Sequence, residues 1–368
     1  MNITCLKNHL LKALNLSSSQ MGKNQNIPIL QGGFLKTQKN QLSIETTNLE
    51  SSLRVFIQVK TEKEGEIIAP IKTLMNLISN LKDEKIKLEK KDNNLEILSQ
   101  NSKALIKCYP LEEFPSFPSI GEGIKINIPI KDLIAGLKPT ANFVSKNETK
   151  PEISSIFIFN KENFLNFAAT DSFRLSEKKV NFIEEKNFSF LIPSKHSQEL
   201  IKILESGENP QETAEITINQ NQILFKGRDF EYLSVLTSGE FPEYKKLIPD
   251  SFVSEALVSL KDLTEAIRSS TIFSNRLNEI FLFLNKEKQN LEIKTLNADL
   301  GEYSAKFPAQ IKGDSLNLTF NCEYLLDGLE NFKTDEISLN FAGETKPLLI
   351  KSSQDSSLLY LIMPMKNY

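Results

Sequence analysis

Three stretches of the chain carry apolar residues at the three-and-four spacing of an amphipathic helix. They are residues 6–21, 130–145 and 260–275. The second and third open on Ile-Lys-Asp-Leu and Leu-Lys-Asp-Leu, and the first is a looser copy. A basic residue recurs after seven positions, as Lys131 with Lys138 and Lys261 with Arg268. Residues seven apart share a helix face, so the pattern predicts related helices with basic residues beside the apolar stripe.

Each of these helices is followed by the same order of elements. Short β-branched and aromatic runs flank polar turns, which is typical of β-hairpins, at residues 33–46, 155–168 and 279–295. A second helix is predicted over residues 70–81, 193–204 and 321–332. The middle one carries Lys195 and Lys202, again seven apart. Further strands close each repeat at residues 103–109, 230–236 and 357–363.

The connectors between the repeats also resemble each other. Glu113-Phe114-Pro115 follows the first repeat and Glu240-Phe241-Pro242 follows the second. Periods of this length indicate duplicated domains and not a solenoid of short repeats. We predict an α+β fold of three similar domains, each with two helices packed on antiparallel sheet. The predicted domains are residues 1–123, 124–251 and 252–368.

Composition narrows the class of protein. With 368 residues, 40% of them hydrophobic and 25% charged, the chain is typical of a soluble globular protein. No apolar run has the length of a membrane span. The three cysteines are far apart, which fits free thiols in a reducing cytoplasm and neither a disulfide framework nor a zinc site. The net charge of −3 argues against nucleic acid, although a sum can hide one basic surface.

No catalytic or cofactor motif stands out. His9 and His196 lie at predicted helices without a nucleophile motif nearby, so we expect surface or helix-cap roles for both. There is no phosphate-binding glycine loop and no zinc motif, so we predict no metal and no cofactor. Asp171 with Arg174 is the best candidate polar pair, but a turn carboxylate with a local ion pair is the favoured interpretation. Three similar units without a distinct catalytic copy favour a scaffold.

Two stretches depart from the repeat, residues 168–175 and the C-terminal residues 360–366. Chain ends are usually polar and frayed. An end made of Leu, Ile, Met and Pro is either buried as a core strand or lines a binding surface. Methionine suits an adaptable groove that accepts several apolar ligands. The residues alone leave both interpretations open.

Over its whole length the chain resembles the bacterial DNA polymerase III β subunits, the replicative sliding clamps. The stretches that carry the resemblance are Ile27-Pro28-Ile29-Leu30, Ala169-Thr170-Asp171 with Arg174-Leu175, Phe241 to Lys246 with Pro249, and Met363-Pro364-Met365. Their order and separations make the resemblance specific. The chain has Ser172-Phe173 where the family commonly has Gly-His or Gly-Arg, and Lys246 and Lys366 where Arg is frequent.

The resemblance implies a head-to-tail homodimer whose six similar domains form a ring around double-stranded DNA. Two helices per domain would line the hole, so that basic residues face the DNA while acidic residues lie elsewhere. Loose phosphate contacts without base readout would let such a ring slide. The implied DNA contacts are Lys23, Asn24, Lys72 and Asn147, together with the helix residues Lys131, Lys138, Lys195, Lys202, Lys261 and Arg268.

The resemblance also implies a pocket for short peptides of partner proteins: the clamp loader, replicative and translesion polymerases, ligase and mismatch-repair proteins. One subsite would use Thr170, Ser172, Phe173, Arg174, Leu175, Pro242, Lys246, Leu247, Leu361 and Ile362. The other would use Lys150, Ile153, Met363, Pro364 and Met365. Apolar side chains would drive binding and basic groups would orient the peptide. The ring joint would pair Ala104, Ile106 and Cys108 with Ile272 and Phe273 of the other subunit.

Two other classes of protein stay open. The chain could be a cytoplasmic enzyme of duplicated α+β domains, with Asp171 and Arg174 in its site. It could also be a β-rich structural repeat protein whose apolar C-terminus is simply buried. The leading prediction is a non-enzymatic processivity clamp.

Overall fold

A computed structural model of the protein describes residues 1–21, 27–147, 149–207, 209 and 212–365. The described residues contain these α-helices: α1 Lys7–Ser19, α2 Ile71–Asn80, α3 Ile130–Leu137, α4 Ser194–Glu205, α5 Leu260–Ser270 and α6 Cys322–Leu329. Short 3-10 helices lie at Pro28–Gln31, Leu111–Glu113, Tyr244–Leu247 and Thr271–Phe273.

The strands of the first half are β1 Asn2–Leu6, β2 Gly32–Gln38, β3 Gln41–Thr47, β4 Ser51–Gln58, β5 Lys60–Lys63, β6 Gly65–Pro70, β7 Lys85–Lys91, β8 Asn94–Leu98, β9 Lys103–Lys107, β10 Ile124–Pro129, β11 Ser155–Lys161, β12 Phe164–Thr170 and β13 Arg174–Asn181. Those of the second half are β14 Ser189–Pro193, β15 Thr213–Ile218, β16 Gln222–Lys226, β17 Phe230–Val235, β18 Ser254–Ser259, β19 Glu279–Asn285, β20 Asn290–Asn297, β21 Gly301–Pro308, β22 Gln310–Gly313, β23 Leu316–Asn321, β24 Glu336–Phe341, β25 Leu348–Ser352 and β26 Leu358–Ile362.

The chain divides into two compact units. The first comprises Met1–Ile134 and Lys195–Leu236, and the second comprises Ala135–Ser194 and Thr237–Tyr368. The first unit contains a five-stranded sheet in the order β5-β1-β7-β8-β9 and an eight-stranded sheet in the order β10-β15-β16-β17-β4-β3-β2-β6. The second contains a nine-stranded sheet in the order β14-β11-β12-β13-β26-β25-β24-β18-β22 and a four-stranded sheet in the order β21-β20-β19-β23.

The predicted α+β architecture of three repeats, each with helices and antiparallel strands, is confirmed. The three hairpins form at β2–β3, β11–β12 and β19–β20. The helix expected over residues 130–145 is shorter and ends at Leu137. The residue before a proline is disfavoured in the helical region, and Lys138 precedes Pro139. The separation of seven residues predicted that Lys131 and Lys138 lie on one face of the same helix. Lys138 instead follows the end of α3, so this prediction is wrong for Lys138.

The repeat extends to individual hydrogen bonds at the corner after each hairpin. Thr47 Oγ1 donates to Ser51 O at 2.9 Å, and Thr170 Oγ1 donates to Arg174 O at 2.7 Å. The third residue of each corner, Leu49 or Ser172, has a positive φ, of 77° and 78°. Each threonine oxygen accepts a bond from the amide of that residue. The same corner is thus built twice by the same contacts.

Neighbouring repeats are joined by strand pairing. In the first unit β4 pairs with β17, and Ser51 lies opposite Ser234. In the second unit β13 pairs with β26, and Arg174 lies opposite Ile362. Each sheet therefore crosses a boundary between repeats, which is why compact packing does not divide the chain into three. The boundaries near residues 123 and 251 remain predictions.

His196 corrects an expectation, because it is neither at the surface nor a helix cap. Its side chain is only 2% exposed, and its Nδ1 lies 2.8 Å from Ser234 Oγ. Nε2 is 3.8 Å from a carboxylate oxygen of Glu50. Burial, assisted by Lys195, lowers the pKa of His196 to about 4. The ring is therefore neutral and belongs to the packing of α4 on the joint between β4 and β17.

This burial predicts a pH-dependent contribution to folding. The unfolded chain binds a proton at His196 below about pH 6.5, whereas the folded chain resists it until about pH 4. Stability is therefore complete above pH 6.5 and falls as the pH drops from 6.5 to 4, by on the order of 2–3 kcal/mol for this group. We expect His196→Asn to lose less stability than the wild type over this window in chemical unfolding experiments.

His9→Asn is the matched control, because His9 is exposed on α1. It should keep the wild-type dependence on pH. Equal pH dependence of the wild type and His196→Asn would show that His196 is not the group responsible.

Candidate functional site

The predicted basic residues are exposed on or beside the helices. Lys72 lies on α2, Lys195 and Lys202 on α4, and Lys261 on α5, and all are solvent-accessible. Lys131 and Lys138 are also exposed. Arg268 is exposed too, with its Nη2 3.3 Å from a carboxylate oxygen of Glu330. Surface charges of this kind attract phosphate weakly and are screened by salt.

The remaining predicted DNA contacts are only partly covered. Lys23 and Asn24 lie outside the described residues. Asn147 is exposed, and its Oδ1 accepts hydrogen bonds from the amide and the hydroxyl of Thr149, at 3.0 and 2.8 Å. These bonds fix the amide group in a turn before β11.

One groove on the helices was missed by the sequence analysis. It is open, has a volume of about 490 Å³, and is lined by Asn8, Leu11, Lys12, Asn15, Leu16 and Ser19 of α1 with Lys202 and Ser206 of the α4 region. The polar lining residues of α1 recur every three or four positions, at 8, 12, 15 and 19, and this periodicity was the available signal. The lining therefore combines two lysines, Lys12 and Lys202, with two leucines, Leu11 and Leu16.

The described residues of the predicted peptide pocket lie in the second unit. The buried ones form its base, and the exposed ones form its rim. Ile153, Leu175, Leu361 and Ile362 are buried, and Leu175 lies opposite Leu361 in the pairing of β13 with β26. The exposed residues of the predicted pocket are Lys150, Ser172, Phe173, Pro242, Lys246, Leu247 and Met363. Pro364 and Met365 are partly buried. The predicted set thus contains both a packed base and accessible apolar side chains.

Phe173 is 60% exposed and is held in place by its backbone. Its amide donates to Asp171 Oδ1 at 3.0 Å, and its carbonyl accepts from the amide of Met363 at 2.8 Å. Its ring centroid is 6.4 Å from that of Tyr324, a residue of α6 that the sequence analysis did not predict. The corner and the C-terminal segment are therefore adjacent, and one aromatic ring, that of Tyr324, is added to the predicted pocket.

Arg174 holds this corner. Its Nε lies 2.9 Å from Asp171 Oδ2 and its Nη1 lies 2.6 Å from Asp327 Oδ2. The guanidinium also stacks 4.2 Å from the ring centroid of Tyr324. Burial lowers the pKa of Arg174, but the two carboxylates outweigh it and hold the pKa above its ordinary value. The local ion pair of Asp171 with Arg174, favoured from the sequence, is confirmed. The buried guanidinium is part of the framework of the predicted pocket, and its peptide contact remains a prediction.

The connector after the second repeat is fastened to β13. Tyr244 and Lys245 of the 3-10 helix both contact Glu177 Oε2, the tyrosine hydroxyl donating. Phe241 stacks on Phe157 with ring centroids 5.1 Å apart. The next residue, Lys246, is exposed and pairs with Glu243.

The residues predicted for the ring joint lie at or beside two sheet edges. β9 is an edge of the five-stranded sheet and β21 an edge of the four-stranded sheet. On β9 the predicted Ile106 is buried, Ala104 and Cys108 are partly buried, and Leu105, which the prediction omitted, is 57% exposed. Beside β21, Ile272 is 67% exposed and the Phe273 ring stacks 6.1 Å from that of Tyr303.

The free cysteines of the described chain are buried or partly buried. Within residues that the structure describes, no three His, Cys, Asp or Glu side chains are grouped to hold a metal. Burial raises the pKa of the Cys5 thiol to about 12 and that of Cys108 to about 11, far above the range of a reactive thiolate. No helix in the described part of the chain is long and apolar enough to cross a membrane.

The three repeats match the three domains of one protein family. The N-terminal, central and C-terminal domains of the DNA polymerase III beta subunit match residues 1–118, 127–243 and 245–366. The beta sliding clamp of Bacillus subtilis is 27% identical over 381 residues, with complete coverage of both chains. That of Rickettsia felis is 28% identical over 370 residues, which is 97% of each chain.

Two solved structures of sliding clamps resemble the fold of this chain over its full length. The crystal structure of the Bacillus subtilis sliding clamp has a TM-score of 0.93 at 27% identity and covers all of both chains. The Pseudomonas aeruginosa sliding clamp bound to griselimycin has a TM-score of 0.93 at 22% identity, also with complete coverage. Matched in order by all three domains of one family, the chain belongs to the DNA polymerase III beta subunits, the bacterial β sliding clamps.

Proposed function

We propose that this chain is a DNA processivity clamp without catalytic activity of its own. Two copies would close head to tail into a ring around duplex DNA and tether partner proteins through the pocket. The observation that carries the proposal is the pairing of strands between repeats. Two such joints exist within the chain, and the strands that would make a third are both at sheet edges.

The repeat specifies how the third joint would pair. The first residues of β4, β13 and β21 are Ser51, Arg174 and Gly301, each four positions after its corner residue. Lys107 corresponds to Ser234, because each stands six residues before a Glu-Phe-Pro connector. Since Ser51 lies opposite Ser234, Gly301 would lie opposite Lys107 of the other subunit. The five-stranded and four-stranded sheets would then merge into nine strands, as in the sheet that contains the β13–β26 joint.

Exposed apolar side chains near both edges support this joint. Leu105 corresponds to Tyr232 and Tyr360, which are both buried where β17 and β26 are paired. Leu105 would be exposed in a single chain because β9, an edge strand, lacks the partner strand of the other subunit. Ile272 and Leu300, beside β21, are exposed as well. Large exposed apolar patches mark interaction surfaces, and pairing removes edges that would otherwise promote aggregation.

The proposed register is testable by disulfide cross-linking. In this antiparallel register, three residues forward from Gly301 and three residues back from Lys107, Ser304 would lie opposite Ala104 of the other subunit. In a Cys108→Ser background, we expect Ala104→Cys with Ser304→Cys to give a covalent dimer on oxidation, because directly opposed residues have Cβ atoms about 4.5–5.5 Å apart. Non-reducing electrophoresis would detect it.

The control combines Ala104→Cys with Lys306→Cys, which is on the same face of β21 but two residues further along. This pair should cross-link poorly. A monomer in solution, or equal cross-linking of both pairs, would contradict the proposed ring joint.

The exposed lysines support contact with DNA by weak, unspecific phosphate binding. A ring retains DNA by its topology, so its direct affinity need not be high. Lys131, Lys195, Lys202 and Lys261 carry charge without a rigid arrangement that could read bases. An excess of three negative charges over the whole chain is compatible with this, because acidic side chains elsewhere offset a basic surface.

A topological clamp should depend on the closure of the DNA. We expect the protein, once loaded by the clamp loader of the same organism onto nicked circular DNA, to stay bound through gel filtration. It should be lost once the circle is linearised, because nothing then prevents it from sliding off the ends. Leu105→Lys, which would weaken the ring joint, should be lost from both. Equal retention of the wild type on circles and linear DNA would contradict the proposal.

The pocket supports binding of short peptides from partner proteins. Its accessible apolar side chains, Phe173, Leu247 and Met363, surround a base that is already packed. We propose as partners the clamp loader, replicative and translesion polymerases, ligase and mismatch-repair proteins. Work on the bacterial chromosome would take place in the cytoplasm, where the free thiols of this chain would stay reduced.

Removal of residues 363–368 tests whether the C-terminal segment is a binding element or part of the core. We expect the shortened chain to remain folded and dimeric, because β26 ends at Ile362. Its affinity for griselimycin, the compound bound to the Pseudomonas aeruginosa clamp, should fall at least about tenfold by calorimetry. Ile183→Ser, which removes an exposed apolar side chain elsewhere in the second unit, is the control and should bind normally. Unfolding on truncation would favour a buried, purely structural terminus.

A further inference from the structure

Glu177 on β13 is a carboxylate in an unusual place. Its side chain is only 1% exposed. One oxygen, Oε2, receives both the Tyr244 hydroxyl and the Lys245 ammonium group. The other, Oε1, has Lys179 Nζ at 3.7 Å. Burial of a carboxylate costs free energy that its hydrogen bonds and ion pairs have to offset, so these contacts are needed to keep Glu177 in place.

The surroundings of Glu177 are apolar and belong to the base of the pocket. Glu177 lies opposite Leu359 in the pairing of β13 with β26, and Leu175 and Leu361 form a directly opposed pair two residues along. Leu359, Leu175, Leu361 and Tyr244 pack together in one small core cluster. A leucine in place of Glu177 would suit this cluster as well as its neighbours do.

The two residues that Glu177 contacts begin the 3-10 helix Tyr244–Leu247. Backbone bonds within this helix are local, such as Lys246 N to Glu243 O at 3.1 Å, and do not attach it to the sheet. The attachment comes from side chains: Glu177 with Tyr244 and Lys245, and the stacking of Phe241 on Phe157. The following residues, Lys246 and Leu247, are exposed and belong to the predicted pocket.

We propose that Glu177 is a positioning residue of the peptide pocket. By holding Tyr244 and Lys245 on β13, it fixes where Lys246 and Leu247 stand relative to the base formed by Leu175 and Leu361. A rim fixed in advance spares the ordering cost that a loose connector would add to binding. The inference rests on the proposed peptide-binding function and adds a residue that itself is buried and touches no peptide.

The test replaces the polar attachment with apolar groups, as Glu177→Leu with Tyr244→Phe. Replacing both partners of a buried hydrogen bond with apolar groups of similar shape can leave stability unchanged or raised. Lys245 is half exposed and stays in contact with water, so we expect a midpoint of thermal unfolding at or above that of the wild type. We expect griselimycin to bind about tenfold more weakly. Hydrogen exchange at the amides of residues 244–248 should be faster without ligand, while exchange in β13 and β26 stays as in the wild type.

Lys179→Met is the matched control, because Lys179 approaches the same carboxylate but does not contact the connector. It should leave both griselimycin binding and exchange at residues 244–248 unchanged. Should the double variant be unstable, Glu177→Gln serves instead, since it keeps the shape and removes the charge; about threefold weaker binding with faster exchange is expected.

The outcomes separate the two proposals. Wild-type binding and exchange in a stable double variant, or in Glu177→Gln, would overturn the positioning role and leave the pocket intact. Failure of the wild type to bind griselimycin and partner peptides alike would overturn the pocket itself and the role of Glu177 with it.

Discussion

Antiparallel strand pairing between repeats is the constraint on which the rest of this structure depends. Backbone hydrogen bonds along β4–β17 and β13–β26 join successive repeats into continuous sheets. Such bonds require only the right register and two strand edges, so one geometry serves at every joint. The single chain retains β9 and β21 as sheet edges, although the equivalent strands are paired at both joints within the chain.

The two joints differ in the side chains at equivalent positions and in the contacts that these side chains make. The first residue of β4 is Ser51, whose hydroxyl donates to the buried carboxylate of Glu199 on α4 at 3.1 Å. The first residue of β13 is Arg174, which reaches Asp327 on α6. Both bridge from a corner to a helix. In the second joint, however, the corner also carries the exposed Phe173, so a structural contact lies directly beside an exposed aromatic side chain of the proposed pocket.

The sequence predicted the periodic elements well and the buried polar residues poorly. Hairpins and helices follow from apolar spacing, and Lys138 was misplaced only because Pro139 ends the helix early. His196, Arg174 and Glu177 are a different matter. Whether a polar residue is buried depends on partners that are distant in the chain, such as Ser234, Asp327 and Tyr244. A local sequence pattern does not identify these partners. Leu105 was missed for the same reason, because its neighbour belongs to another subunit in the proposed ring.

Because backbone pairing joins the repeats, the sequences of this family can diverge widely while the fold is kept. A fold held at its joints by backbone pairing tolerates many side chains, so a TM-score of 0.93 to the Bacillus subtilis clamp is compatible with 27% identity. Recognition has no such freedom, because apolar contact and charge placement are properties of side chains. Differences that matter for partner choice should therefore concentrate where backbone is fixed and side chains are exposed. In the proposed pocket that place is the rim formed by Ser172, Phe173 and Lys246. The ion pair of Arg174 with Asp171 holds the corner, and Glu177 holds the connector.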